Sequence, residues 1–186
     1  MNKNRCFWCS NNPIYIKYHD NEWGKPVYDD ALLFEMLLLE SFQAGLSWFT
    51  ILQKRENFRE AFDQFNVQKI AQYNENKLHE LQQNNGIIKN KLKIKAAVTN
   101  AQAFIKIQHE FGKFATYLWA FTNNQIINNT NITPQNYFVT TPLSDQIAKD
   151  LKKRGFKFMG STTVYAYLQA IGIVNDHAQN CFIREQ

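Results

Sequence analysis

Apolar residues recur at helical spacing along almost the whole chain. Nowhere do they form the alternating strand–helix series that a parallel sheet needs, so an all-α fold is expected. The strongest segment is 31–43, Ala-Leu-Leu-Phe-Glu-Met-Leu-Leu-Leu-Glu-Ser-Phe-Gln, too long and too apolar for a surface strand. Asp29 or Asp30 is placed to cap its start, and Ala44-Gly45-Leu46 breaks it. Ser47 can cap a second helix through Trp48, Ile51, Leu52 and Phe58 to about Phe62. Asn66 and Asn74 suit the caps of two short helices, the second ending near Asn85-Gly86. A long helix is expected from about Asn90 to Phe111, with Gly112 as its stop. Residues 122–142 are polar, rich in Asn and Thr, and carry Pro134 and Pro142; they read as a long surface loop. Ser144 is expected to cap a basic helix ending at Lys152-Lys153-Arg154-Gly155, and a further helix covers roughly 162–171 before Gly172. Asn175 is then expected to cap a short terminal helix carrying His177 and Cys181.

A length of 186 residues suits one domain, 1–186, with room for two lobes around a cleft. Phe, Tyr and Trp make up 15% of the chain, which excludes disorder over most of its length. No apolar run approaches the roughly 20 residues of a membrane span. The start, Met1 to Arg5, leads into no apolar signal stretch, so a cytoplasmic protein without a membrane partner is expected. The net charge of +5 permits a polyanionic partner without requiring one.

Three groups of residues could carry chemistry. Cys6, Cys9 and His19 lie near one end, and His177-x3-Cys181 near the other. Two ligands from each end would make a tetrahedral Zn²⁺ site; the alternative is buried thiols and a surface histidine. Spacing leaves five candidates for four places. Next, Glu40 ends the most apolar helix, with Gly45, Leu46 and Trp48 close by. It reads either as an exposed helix-end carboxylate or as the polar group of a pocket walled by Trp8, Tyr15, Tyr18 and Trp23. A flipped nucleobase needs such flat faces and one polar group at its edge. Lastly, the turn at Gly86-Ile87-Ile88 is followed by Lys89, Lys91, Lys93 and Lys95. Backbone N–H groups at a helix start, with lysines around them, suit phosphate; a solvated lysine face is the plainer reading. Lys152, Lys153, Arg154 and Lys157 form a second basic cluster.

Several fragments occur in order: Cys6-Phe-Trp8, Tyr15-Ile-Lys-Tyr18-His19, Leu39-Glu40-Ser-Phe-Gln43-Ala-Gly-Leu-Ser-Trp48, Gly86-Ile-Ile-Lys89, Lys152-Lys-Arg-Gly-Phe-Lys-Phe-Met-Gly160 and Val174-Asn-Asp-His177-x3-Cys181. Together they closely resemble the bacterial 3-methyladenine DNA glycosylase I family, over about residues 6 to 181. The resemblance implies a helix-hairpin-helix glycosylase, two helical lobes around a base-binding cleft, and termini joined by one structural Zn²⁺ on Cys6, His19, His177 and Cys181. Cys9 then stands outside the ligand set. The resemblance also implies a base pocket of Trp8, Tyr15, Tyr18 and Trp48 with Glu40 as the catalytic carboxylate. It makes Gln43, Gly45 and Leu46 a wedge entering DNA at the lesion, and Gly86, Ile88, Lys89 and Lys91 a phosphate-binding hairpin.

The activity implied is monofunctional excision of 3-methyladenine from double-stranded alkylated DNA, with the free base as product and the protein acting as a monomer. A purine methylated at N3 is cationic and leaves readily, so no protonation by the enzyme is required. Two other readings compete. A zinc-stapled DNA-binding module would have no use for Glu40 among aromatic rings. A zinc hydrolase would need an open metal position, which a four-ligand site does not leave.

Overall fold

The computed structural model describes residues 3–184. Its axis is α2 (Asp30–Gln43), in which Leu33, Phe34 and every residue from Met36 to Phe42 are buried. Helices are packed against α2 on several sides: α3 (Trp48–Ala61), α6 (Lys91–Phe111), α7 (Phe114–Ala120) and α9 (Ser161–Ala170). That enclosure explains why the helix is so apolar, and it makes the buried Glu40 a costly exception that calls for a reason. The choice between Asp29 and Asp30 resolves into two jobs. Asp29 caps α2 by accepting from the Leu32 N–H. Asp30 accepts the Phe114 and Ala115 N–H groups, both at 2.9 Å, and so caps α7, whose own preceding residue, Lys113, makes no side-chain cap.

The Asn and Ser caps act where local chemistry places them. Ser47, Asn66, Asn74 and Asn90 each accept N–H groups at the starts of α3, α4 (Val67–Ile70), α5 (Glu75–Gln83) and α6. Two helices are not among those expected from the sequence. α1 (Pro13–Asn21) begins with proline at its first position behind the Asn12 cap, and α7 follows Gly112, whose φ of +80° turns the chain. The helix expected from Ser144, α8 (Pro142–Lys153), starts earlier. Thr141 is its cap, and Ser144 is the reciprocal partner in a capping box, its Oγ accepting the Thr141 N–H at 2.8 Å.

The expected terminal helix is absent. Val174–Asn175 is a short strand, β2, paired in parallel with β1 (Ile127–Asn128), and turns follow to residue 184. The backbone of 173–175 is committed to that ladder, with the Ile127 N–H on the Ile173 carbonyl at 2.9 Å. Asn175 therefore cannot begin a helix there. Residues 122–142 are mostly exposed, as a surface loop should be, but they are anchored. β1 pairs within them, Ile132 is buried, and Arg184 donates to the Asn129 carbonyl. No helix among the described residues is long and apolar enough to cross a membrane.

Candidate active site and metal centre

A cavity of about 450 Å³ opens where α1, α2, α3 and α9 meet. Glu40, from the buried face of α2, reaches into it. Its Oε2 is buried and has no hydrogen-bond partner. Burial alone pushes this carboxyl up from its ordinary 4.5 to about 8. Trp48, at the first position of α3, presents a buried Nε1 that also lacks a partner. Trp8, Tyr15 and Tyr18 complete the aromatic wall. Trp8 meets the edge of Tyr15 at 5.7 Å between centroids, and Tyr18 lies 5.4 Å from Trp48. The expected pocket residues thus come together around one space: rings on the walls, one acceptor and one donor unsatisfied.

A further part of the lining was not anticipated from the sequence. Asp176 is buried and lines the cavity, accepting from Tyr165 Oη at 2.6 Å, Gln169 Nε2 at 2.7 Å and Asn129 Nδ2 at 2.7 Å. Its partners come from α9 and from the 122–142 segment, so no local spacing could have grouped them. The one available signal was a carboxylate lying directly beside His177.

At the end of α2 the chain makes a tight turn. Gly45 has a φ of +81°, where a side chain would be strained. The Leu46 N–H donates to the Gln43 carbonyl at 2.7 Å, and Gln43 Nε2 returns to the Leu46 carbonyl at 2.8 Å. Gln43 lines the cavity, while Leu46 is 38% exposed. The turn between α5 and α6 is held by Lys54 Nζ and Asn57 Nδ2, each 3.2 Å from the Gly86 carbonyl. Ile87 is buried, Ile88 half-buried, and Lys89 and Lys91 are exposed. Lys89 Nζ rests on Asn85 Oδ1 at 2.6 Å.

Two residues read as part of basic surfaces belong elsewhere. Lys93 is buried, and its ammonium donates to the carbonyls of Phe42 at 2.8 Å and Ala44 at 2.6 Å. It is a cap on α2 rather than a member of a lysine row, because α6 turns this position inward. Arg154 is paired with Asp150 and Glu110, both at 2.7 Å, which leaves Lys152, Lys153 and Lys157 as the exposed cations of that cluster.

The two ends of the chain meet at a buried group of Cys6, His19, His177 and Cys181, whose donor atoms all lie within 4.8 Å of one another. Cys6 Sγ is 3.4 Å from His177 Nδ1, and Cys181 Sγ is 3.5 Å from His19 Nε2 and 3.6 Å from His177 Nδ1. Bonds of about 2.3 Å to sulfur and 2.0 Å to nitrogen give a tetrahedral S···N edge of about 3.5 Å, so these atoms fit a zinc-sized ion. Burial holds His177 down at about 4, hence neutral and able to ligate, and pushes the Cys6 thiol up. Thiolate here requires a cation, which is what a metal supplies. His19 Nδ1 meets Asp20 Oδ1 at 2.9 Å, and Arg5 grips the same carboxylate at 2.7 and 2.8 Å. The Arg5 guanidinium holds Asp20 down at about 2, so a fixed anion orients the imidazole. Cys9 lies outside this group, its thiol on the Ser10 carbonyl at 3.7 Å.

A family model for methyladenine glycosylases matches residues 8–185. DNA-3-methyladenine glycosylase 1 of Escherichia coli is 46% identical over 177 residues, 95% of each chain. DNA-3-methyladenine glycosylase of Haemophilus influenzae is 44% identical over 95% of this chain and 96% of its own. Among solved structures, a crystal structure of 3-methyladenine DNA glycosylase I superposes with a TM-score of 0.93 at 47% identity, covering 96% of this chain and 98% of that one. The Staphylococcus aureus enzyme, solved to explain 3-methyladenine recognition, superposes with a TM-score of 0.94 at 36% identity, covering 99% and 98%.

Proposed function

The chain belongs to the methyladenine glycosylase family, and from that premise we propose that it is a monofunctional DNA glycosylase excising 3-methyladenine from alkylated double-stranded DNA. The observation that carries the reading is the pair of buried, unpartnered atoms, Glu40 Oε2 and Trp48 Nε1, on the wall of one aromatic cavity. Buried polar groups are left unsatisfied at a cost of roughly 1–3 kcal/mol each, so this pair calls for a ligand. A purine supplies a flat face for the rings, an amino edge for the carboxylate and a ring nitrogen for the indole N–H.

The nucleotide must leave the stack to enter the cavity. The turn of Gln43, Gly45 and Leu46 stands at the mouth and fills the hole left behind, opposing return of the base. Gly86, Ile88, Lys89 and Lys91, in the α5–α6 helix-hairpin-helix, hold phosphate without reading sequence. Inside the cavity, the carboxylate of Glu40 favours a base that carries positive charge over ordinary adenine. That same charge pulls the carboxyl pKa back down, so binding of the methylated nucleotide selects the ionised form. The N-glycosidic bond then breaks with its electron pair departing on the base. Water adds at the anomeric carbon and releases a proton, leaving an abasic site. None of the described residues lining the cavity is a lysine, which supports a reading in which no amine attacks the sugar and the strand stays whole.

The Cys6, His19, His177 and Cys181 group would hold one Zn²⁺. With four protein ligands and no open position, it would supply cross-linking of the chain ends rather than chemistry. The protein is taken to act as a cytoplasmic monomer. Incubation with methylated duplex DNA and chromatography of the released bases tests the reading. Free 3-methyladenine with uncut strands is expected; no released base, or strand cleavage coupled to release, would overturn it.

A further inference from the structure

Lys93 lies between the two surfaces that the proposed function puts against DNA, and its ammonium is turned into the protein. It stands in the first turn of α6, directly after the hairpin turn that carries Lys89 and Lys91. Its ammonium donates to the Phe42 and Ala44 carbonyls, which flank Gln43 at the end of α2. These are carbonyls a helix leaves without partners at its C-terminal end, and a cation is favoured there. No other side chain of α6 donates a hydrogen bond to this turn. The remaining bonds holding the turn are local, between Gln43 and Leu46. Glu40 lies two and four residues before these carbonyls on the same helix end, so the cation that holds them also bears on where Glu40 sits relative to Leu46.

We propose that Lys93 is a positioning residue that couples the hairpin's hold on the phosphate backbone to the geometry of the Gln43–Leu46 turn, and thereby to extrusion of the base from a duplex. This rests on the glycosylase reading. A duplex requires the turn to fill the vacated stack; a single strand has no such hole to fill. The coupling should therefore matter on duplex substrate and little on single strands.

The test compares Lys93→Met, Lys93→Arg and Leu46→Ala with the unaltered protein in single-turnover release of 3-methyladenine from duplex and from single-stranded methylated DNA. Lys93→Met should lower duplex excision about 10- to 100-fold, as loss of a charged donor implies, and follow Leu46→Ala in sparing single strands. Lys93→Arg, which keeps a donor cation, should recover most of the loss. The salt slope of DNA binding should not change. Equal losses on both substrates would overturn the proposal, as would a salt slope lower by about one ion, which would make Lys93 a phosphate contact. Amide hydrogen exchange, which needs no activity, separates the coupling from the glycosylase reading. Exchange at the Leu46 N–H should rise in Lys93→Met while that of Ile94 and Ala97 holds. Unchanged exchange at Leu46 sinks the coupling even in an active enzyme. An unaltered protein that releases no base sinks the glycosylase reading. If Lys93→Met does not fold, Lys93→Gln replaces it with the same outcomes.

Discussion

His19 Nε2 and Cys181 Sγ lie 3.5 Å apart although 162 positions separate them in the chain. A contact of that range closes almost the whole polypeptide into a loop, and the two atoms are spaced for a shared metal ion.

One Zn²⁺ per chain should accordingly be found by elemental analysis. Structural zinc binding of about 10–16 kcal/mol is largely folding energy, comparable with a whole domain's stability of about 5–15 kcal/mol. Cys181→Ser or His177→Ala should therefore yield protein with a collapsed melting temperature, and chelation should do the same to the unaltered chain. Cys9→Ser should keep its metal and its stability; a zinc-free Cys9→Ser would reassign the ligands.

Glu40 distinguishes reading from proton abstraction. A general base is worth roughly 10²–10⁴ in rate, whereas a charge-assisted hydrogen bond is worth about 1.5–3 kcal/mol, or roughly 10- to 150-fold. Glu40→Gln keeps an acceptor of the same shape and cannot act as a base. Single-turnover excision should survive substantially in Glu40→Gln and fall further in Glu40→Ala, together with weaker binding of free 3-methyladenine. If both variants lose excision equally while binding the free base normally, Glu40 acts as a base.

The same carboxyl gives a pH signature in the free protein. Its pKa rises from 4.5 to about 8 on folding. Between those values the unfolded chain has lost the proton and the folded one keeps it, so stability falls as pH rises, by at most about 1.4 kcal/mol per unit. Below about 4.5 both states are protonated and the effect vanishes. Glu40→Gln should flatten this dependence, so denaturant titrations at pH 5 and pH 8 should show the variant gaining on the unaltered protein only at the higher pH. Parallel curves would mean that Glu40 ionises normally in its pocket.

Lys89 and Lys91 are exposed, in the turn between α5 and α6 and at the first position of α6. Replacing either by alanine should weaken DNA binding evenly across sequences and lower the salt dependence by about one ion. A slope identical to that of the unaltered protein would place these lysines on a merely solvated face.

What was legible in the sequence is what short-range chemistry writes there. Asn66, Asn74, Asn90 and Ser47 cap helices because a cap needs only its own next few residues. Ser144 misled by three positions, since Thr141 and Pro142 set the start and use the serine as their partner. Asn175 misled more, because its backbone answers to Asn128, far away in the chain. Lys93 looked like its neighbours Lys91 and Lys95; only the packing of α6 against α2 shows where its ammonium goes. The residues around Glu40 left two readings open, an exposed helix-end carboxylate or the polar group of an aromatic pocket, and the resemblance favoured the pocket. The rest of the lining, Asp176 with Tyr165 and Gln169, followed from neither the residues nor the resemblance.

The cavity is therefore lined from both extremes of the polypeptide, by Trp8 near one end and Asp176 near the other. Cys6, two positions before Trp8, accepts the Ala178 N–H across 172 positions. A chain still emerging from the ribosome can form α2 and bury its leucines, yet it owns no complete pocket. Trp8 can already pack on Tyr15, Tyr18 and Trp23, but the Asp176 part of the wall and the Cys6–Ala178 bond are added only when the last residues have been made. Partly synthesised copies, however many of their helices have formed, would lack one part of the cavity's wall.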